Sequence, residues 1–404
     1  MRLYMNETVS RLRSTRALLM KGLVFLIITT CSSLTASALT YYSRNNGGAW
    51  GVASTWSTDG VLQCAGAAAA TTPGAADDVV ICNGFTVIWN SAATTSINNL
   101  TILTGGVLTI SVNGINIQLN SLQMDGTVNG NGSGDLRMGL AAGKTLSGTG
   151  FFSNTAANSQ LRLLSNVTVL AGTDLKWNNN NVLNLNGFTL TNNGKIQILH
   201  PAAFTNPGTT STFTNAANAY LLYTRQSSFP NNIVLNAAAS GNTVEYGAAG
   251  ATTRTMASRA GSGTYWHLLF SGVAPQRMGT TTTTVLGNLT INNGATVSAN
   301  TGTRNINITG NWINNLGGVF QPQTSLVTFN ATAANQTISS PAGGETFYDL
   351  TINNTNPGGT VTANGGIQIT NARTLRITAG IFDMQSNTLT QISGAGNFTA
   401  TGGE

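Results

Sequence analysis

Three stretches of the chain are versions of one phrase: NNLTILTGGVLTI at 98–110, GNLTINNGATVSA at 287–299 and YDLTINNTNPGGTVTA at 348–363. A phrase of this size cannot bury its own apolar side chains, so repeats of this kind stack, each covering the next. Within and around the copies the apolar period is two, as in Leu108/Ile110/Val112, Ile115/Ile117/Leu119, Leu289/Ile291 and Ile306/Ile308. Asn-Gly and Gly-Gly pairs punctuate the runs at 83–84, 105–106, 113–114, 186–187 and 365–366. Alternation between such turns reads as short, half-buried strands. The chain shows no 3.6-residue apolar stripe.

A longer period lies above this one. TYWHLLFSG (264–272) aligns with TFYDLTINN (346–354), and TVEYGAAGATTRTM (243–256) with LVTFNATAANQTIS (326–339). NLTINNGATV…ITGNW (288–312) aligns with TLRITAGIFD…GAGNF (374–398). The offsets agree within a few residues, which marks a duplicated block. Two layouts suit so many short strands: a string of sandwich domains, or a β-solenoid. The turns recur too closely for loops that cross between sheets. NNLTI-like phrases recur as if at one position on successive coils. Asn and Thr abound, and coil-over-coil stacking lets their side chains bond in ladders. The expected fold is therefore all-β, a parallel β-solenoid. Aliphatic residues fill its inside, Asn and Gly turn its corners, and Thr faces outward.

The N-terminus has a different logic. Arg11, Arg13, Arg16 and Lys21 precede the apolar run LVFLIITT, and Ala36-Ser37-Ala38 follows. This is the order of a secretory signal peptide over residues 1–38, with cleavage after Ala38. The apolar run is shorter than the ~20 residues a membrane span needs. Met20 alone would give an ordinary signal start, so Met1, Met5 and Met20 all remain as start codons. Cys31 after Ile28-Thr29-Thr30 faintly resembles a lipoprotein cleavage box. Removing the segment takes away five of 18 basic residues and one of 12 acidic ones, leaving a balance of +2. No Lys/Arg stripe remains to hold phosphates, which argues against nucleic acid as a partner. Cys64 and Cys82 remain, and in an exported chain such a pair predicts a disulfide; buried free thiols are the alternative.

Residues 39–100 read as a cap and first coils, and 101–404 as solenoid repeats. The stretch opens with Gly48–Trp56 in the pattern G-x-W-x-x-x-x-T-W-S. It continues with Pro73–Ile81 (P-x-x-x-D-D-V-x-I) and Asn83–Val87 (N-G-x-T-V). These residues resemble the N-terminal element of secreted bacterial β-helical surface proteins. That group includes G8-type modules and Bacteroidetes-type extracellular repeat proteins, often from gliding or biofilm-forming bacteria. The resemblance implies a right-handed parallel β-helix and a cell-surface or extracellular address. The chain stops at AGNFTATGGE in mid-repeat, with no polar cap or sorting module, which points to a piece of a longer protein.

Candidate chemistry is sparse. His267 sits on a strand where the parallel block has Asp349, and His200 precedes Pro201 at a strand end. Asp77-Asp78 is the only adjacent acidic pair. A calcium role there competes with a turn in which one acid caps backbone N–H groups. Asp125, Asp135 and Asp174 would matter if neighbouring coils brought them together. Trp50 and Trp56 suit either stacking on sugar rings or covering the open end of the first coil. TTTTT at 280–284 raises ice binding, but no regular T-x-T array extends across coils. No G-x-S-x-G, H-E-x-x-H or P-loop motif is present. The expectation is a structural or adhesive surface protein without catalytic residues or cofactor. Its partners would be cell-surface or extracellular glycans or proteins. A glycan-binding or polysaccharide-cleaving β-helix is the first alternative, and an ice- or crystal-surface binder the second.

Overall fold

The computed structural model describes residues 38–400 except 92, 112–115, 131–133, 155–159, 180, 200–202, 206–207, 225–227, 248–252, 260, 280–281, 303, 342, 371–372 and 393–396. The expected signal segment before Ala38, the start codons, Cys31 and His200 lie outside the described residues. The rest is all-β. The chain winds through three strands per coil, one on each of three faces. The order is visible in Asn99–Ile102, Val107–Ile110 and Asn116–Leu119, which are followed on the next coil by Ser121–Met124, Thr127–Gly130 and Asp135–Met138. Leu100 pairs in parallel with Leu122, Leu108 with Val128, and Ile117 with Leu136. This is a parallel β-solenoid, as the alternation predicted. The second face is one unbroken sheet of 15 strands, from Gly48–Ala49 to Ile381–Asp383. The first face is a 10-stranded and then a 7-stranded sheet, joined by a bridge between Ala237 and Tyr265. The third face breaks into sheets of 6, 4 and 3 strands.

The aliphatic residues picked out by period two point inward. Leu108, Ile110, Ile117, Leu119, Leu289, Ile291, Ile306 and Ile308 are all buried. Where the third face breaks, between Thr205 and Arg254, aromatic rings fill the interior. Phe204 packs 5.3 Å from Phe213 and 5.7 Å from Phe229, and Tyr223 lies 5.2 Å from Phe229. Large rings supply much of the packing between coils there.

Asparagine ladders hold the coils in register. Buried Asn192 donates to Asn215 at 2.8 Å, and Asn215 donates onward to Asn242 at 3.4 Å. Outside the barrel Asn120 donates to Asn98, and Asn315 to Asn292. Glycines turn the corner before the second face, because coil backbones touch there. A Cβ on Gly126 would lie 2.3 Å from the Gly106 carbonyl oxygen, and one on Gly150 only 2.0 Å from that of Gly126. Neither obstacle is a flexible side chain. Gly150→Ala should therefore cost on the order of 3 kcal/mol, near the top of the usual range for overpacking. A denaturation midpoint within error of wild type would contradict this close approach.

The first coil is closed by an aromatic cluster. Trp50 lies 4.9 Å from Trp56 and 4.8 Å from Trp89. Trp56 Nε1 donates to the Trp50 carbonyl at 2.8 Å. Here lies the one antiparallel pairing among the described residues, Thr40–Ser43 with Trp56–Ser57. Cys64 and Cys82 form a disulfide, Cα to Cα 6.3 Å, tying the loop after this cluster to the end of Asp78–Ile81. The bridged residues are 18 apart, so its reduction should cost about 3 kcal/mol in the chain-entropy model. Unchanged melting in reductant, with both thiols shown free, would refute that figure.

The duplicated block does not repeat in place. Thr243–Gly247, on the second face, corresponds to Ser325–Phe329 on the first. His267–Ser271, on the second, corresponds to Asp349–Asn353 on the first. Thr296–Ser298, on the third, corresponds to Ile381–Asp383 on the second. In each case the copy lies eleven strands downstream. Whole coils would need nine or twelve, so every phrase moves back by one face. The expectation that NNLTI-like phrases mark one position on successive coils is corrected as well. Asn99–Ile102 is on the first face and Leu289–Ile291 on the second. The phrase encodes a strand and a turn; any face that needs two inward aliphatics can use it.

Candidate functional site

The residues singled out by sequence fall into three groups. Trp50 and Trp56 are 2% and 0% exposed, so neither ring offers a face to a sugar. Asp77 accepts from the Gly74 N–H at 2.8 Å, and Asp78 Oδ1 accepts from Asn98 and Asn99 side chains at 2.9 Å each. These carboxylates stitch a turn and the next coil. Asp125, Asp135 and Asp174 do not meet. Asp125 follows the first-face strand Ser121–Met124, Asp135 opens a third-face strand, and Asp174 opens a second-face strand. Asp125 accepts from Gln123 at 2.8 Å and from the Thr149 N–H at 3.1 Å. Asp135 lies 3.7 Å from Arg137, yet burial still raises its pKa. Among the described residues no group of three or more His, Cys, Asp or Glu is placed to hold a metal ion.

Register, rather than sequence proximity, assembles the surface chemistry. On the second face Asp174, Lys195, Tyr220, Thr243 and His267 are successive partners on five coils. Lys195 Nζ lies 3.7 Å from Asp174 and 5.5 Å from the centre of the Tyr220 ring. Glu245 stands one column over. Tyr220 donates its hydroxyl to one Glu245 oxygen, and Ser271 donates to the other. Burial first, and the neighbouring carboxylate second, push the Tyr220 pKa well up, so its proton stays on as the donor. His267 Nδ1 accepts the Asn288 N–H at 3.1 Å, leaving Nε2 to carry the proton of the neutral ring. Burial lowers the His267 pKa, which favours that neutral form. Gly287 makes room for the ring, since a Cβ there would approach it to 2.8 Å.

The duplication carries a second version of this strip onto the first face. Thr243, Glu245, His267, Leu269 and Thr290 correspond to Leu326, Thr328, Asp349, Thr351 and Arg376. The second set lines a groove of about 440 Å³ together with Arg373. Asp349 Oδ2 accepts from Arg373 at 2.6 Å, and its Oδ1 from the Thr374 N–H at 2.9 Å. The Arg373 guanidinium lies 4.0 Å from the centre of the Tyr348 ring. Thr328, Thr351 and Arg376 are register partners on three coils. One strip presents an acid braced by hydroxyls; the other presents hydroxyls beside arginine.

Neither strip has the geometry of a glycosidase pair. Asp174 and Glu245 are three coils apart, roughly 14 Å along the axis, beyond the ~5–9.5 Å at which two carboxylates share a glycosidic bond. The outward column Thr284, Asn307, Thr328, Thr351, Arg376 interrupts threonine twice in five coils, so it is not a regular Thr rank. Sequence reading reached His267 and Asp349 as counterparts but missed Lys195, Tyr220, Glu245, Arg373 and Arg376. Their coil spacing of 21 to 26 residues was the available signal. No family model, curated protein or solved structure matches the chain.

Proposed function

We propose that the protein is an exported, non-enzymatic surface rod that bears and presents adhesive faces. The observation behind this reading is the unbroken 15-strand second face. At ~4.8 Å per strand it extends on the order of 65 Å, and its hydrogen bonds run along the axis, which makes such a stack stiff. Export is supported by the N-terminal segment and by the Cys64–Cys82 disulfide, a bond of oxidising compartments. Among the described residues no helix is long and apolar enough to cross a membrane. The resemblance of Gly48–Val87 to secreted bacterial surface proteins points the same way. Glycans or proteins of cell surfaces are the partners such flat faces suit.

Two measurements on the purified protein test the reading. Small-angle scattering should give the profile of an elongated rod; a compact profile would remove the proposal. A screen against glycan arrays and intact cells, with reducing-sugar release assayed on each hit, should show retention without cleavage. Sugar release would overturn it in favour of a polysaccharide-cleaving β-helix.

A further inference from the structure

We infer that the first-face groove around Arg376 is a binding site for an anionic polysaccharide, with the chain laid along the solenoid axis. The inference rests on the adhesive reading above and names the partner class. Among the described residues Asp349 is the only carboxylate lining the groove, and Arg373 already neutralises it at 2.6 Å. The pair is held in place from a third side by Tyr348, over whose ring the guanidinium lies. Arg376 is exposed and makes no ion pair among the described residues. Its charge is therefore the uncompensated one, set in a concave surface rather than on a convex one. Along the axis from it stand the hydroxyls of Thr351 and Thr328, one coil apart each. A guanidinium in line with two hydroxyls matches a polymer that repeats hydroxyls and carries carboxylate or sulfate groups.

The equivalent rungs on the second face carry Glu245, Leu269 and Thr290 where the groove carries Thr328, Thr351 and Arg376. One copy has an acid whose two oxygens are taken by Tyr220 and Ser271; the other has gained a cation and lost that acid. An anionic ligand is therefore favoured at the first-face copy and repelled at the second, on the same scaffold. The second copy serves as an internal control for general stickiness of the sheet.

The test is affinity electrophoresis of the full-length protein through gels containing dextran sulfate, polygalacturonate or neutral dextran. Wild type should be retarded by at least one polyanion and not by dextran, and added salt should weaken the retardation. Arg376→Gln should lower the affinity at least about tenfold, the loss expected for one charge-assisted contact. Lys176 lies in the second-face strand Asp174–Trp177, and Lys176→Gln, which removes the same charge there, should leave affinity within about twofold of wild type. Retardation by dextran sulfate alone identifies a sulfate ligand, and by polygalacturonate alone a uronate. The inference falls if neither polyanion retards the protein, if dextran does so equally, if Arg376→Gln binds like wild type, or if Lys176→Gln loses as much. A protein that holds cells or neutral glycans but ignores both polyanions would remove this inference and leave the surface rod standing.

Discussion

Raising the pH from 5 to 8 should destabilise the solenoid by roughly 2–3 kcal/mol through one residue, Glu345. This carboxyl is 2% exposed and points into the barrel from the third-face strand Glu345–Phe347. Burial raises its pKa from 4.5 to about 7, although hydrogen bonds from Asn314, Trp312 and the Thr346 N–H act to lower it. Between those two values the folded protein keeps a proton that the unfolded chain has lost. The associated stability is full below about pH 4.5, falls as pH rises through about 7, and is gone above it. His267 works the other way. Its pKa is lowered, so its contribution is lost as pH falls below the ordinary imidazole range. Denaturant midpoints of wild type and Glu345→Gln, measured side by side from pH 5 to 8, separate the two. The variant should match wild type at pH 5 and exceed it at pH 8. Parallel curves for the two proteins would show that Glu345 does not hold its proton in the fold.

The fold was legible because its two rules are local. Alternation put Leu108 and Ile110 inside, and Gly105-Gly106 put a corner before them; both needed only a few adjacent residues. The surface was not legible because it depends on the length of each coil. Register partners are 20 residues apart from Val107 to Thr127 and 26 apart from Trp312 to Ile338. An error of one residue in such a count moves a side chain from the surface to the core. Asp125, Asp135 and Asp174 show the consequence, since similar-looking acids came to lie on three faces. Glu345 shows the converse. In ETFYDL it reads as a polar residue before a strand, whereas its parity with Phe347 turns it inward. The face shift of the duplication was hidden for the same reason: the offset of about 82–86 residues is regular in sequence but is not a whole number of coils.

Trp312 is among the largest fully buried side chains of the interior, and truncating it to alanine should cost about 3–5 kcal/mol. The indole is fully buried, 4.8 Å from Phe320 and 5.3 Å from Phe347, and Nε1 donates to Glu345 at 2.7 Å. Stability in a stacked repeat is carried mainly between neighbouring coils. Amide exchange should therefore quicken first in the strands around Trp312–Asn314 and Gln336–Phe347, and least at the Trp50–Trp89 end. Trp312→Phe separates the ring from its N–H. Most of the packing stays, but Glu345 loses a donor that favours its charged form. Its pKa should rise further, and the pH midpoint of the stability loss should move upward. A double-mutant cycle with Glu345→Gln should then show coupling, because the two residues share that bond. Additive losses, with the midpoint unmoved in Trp312→Phe, would mean that the indole stabilises the barrel by packing alone.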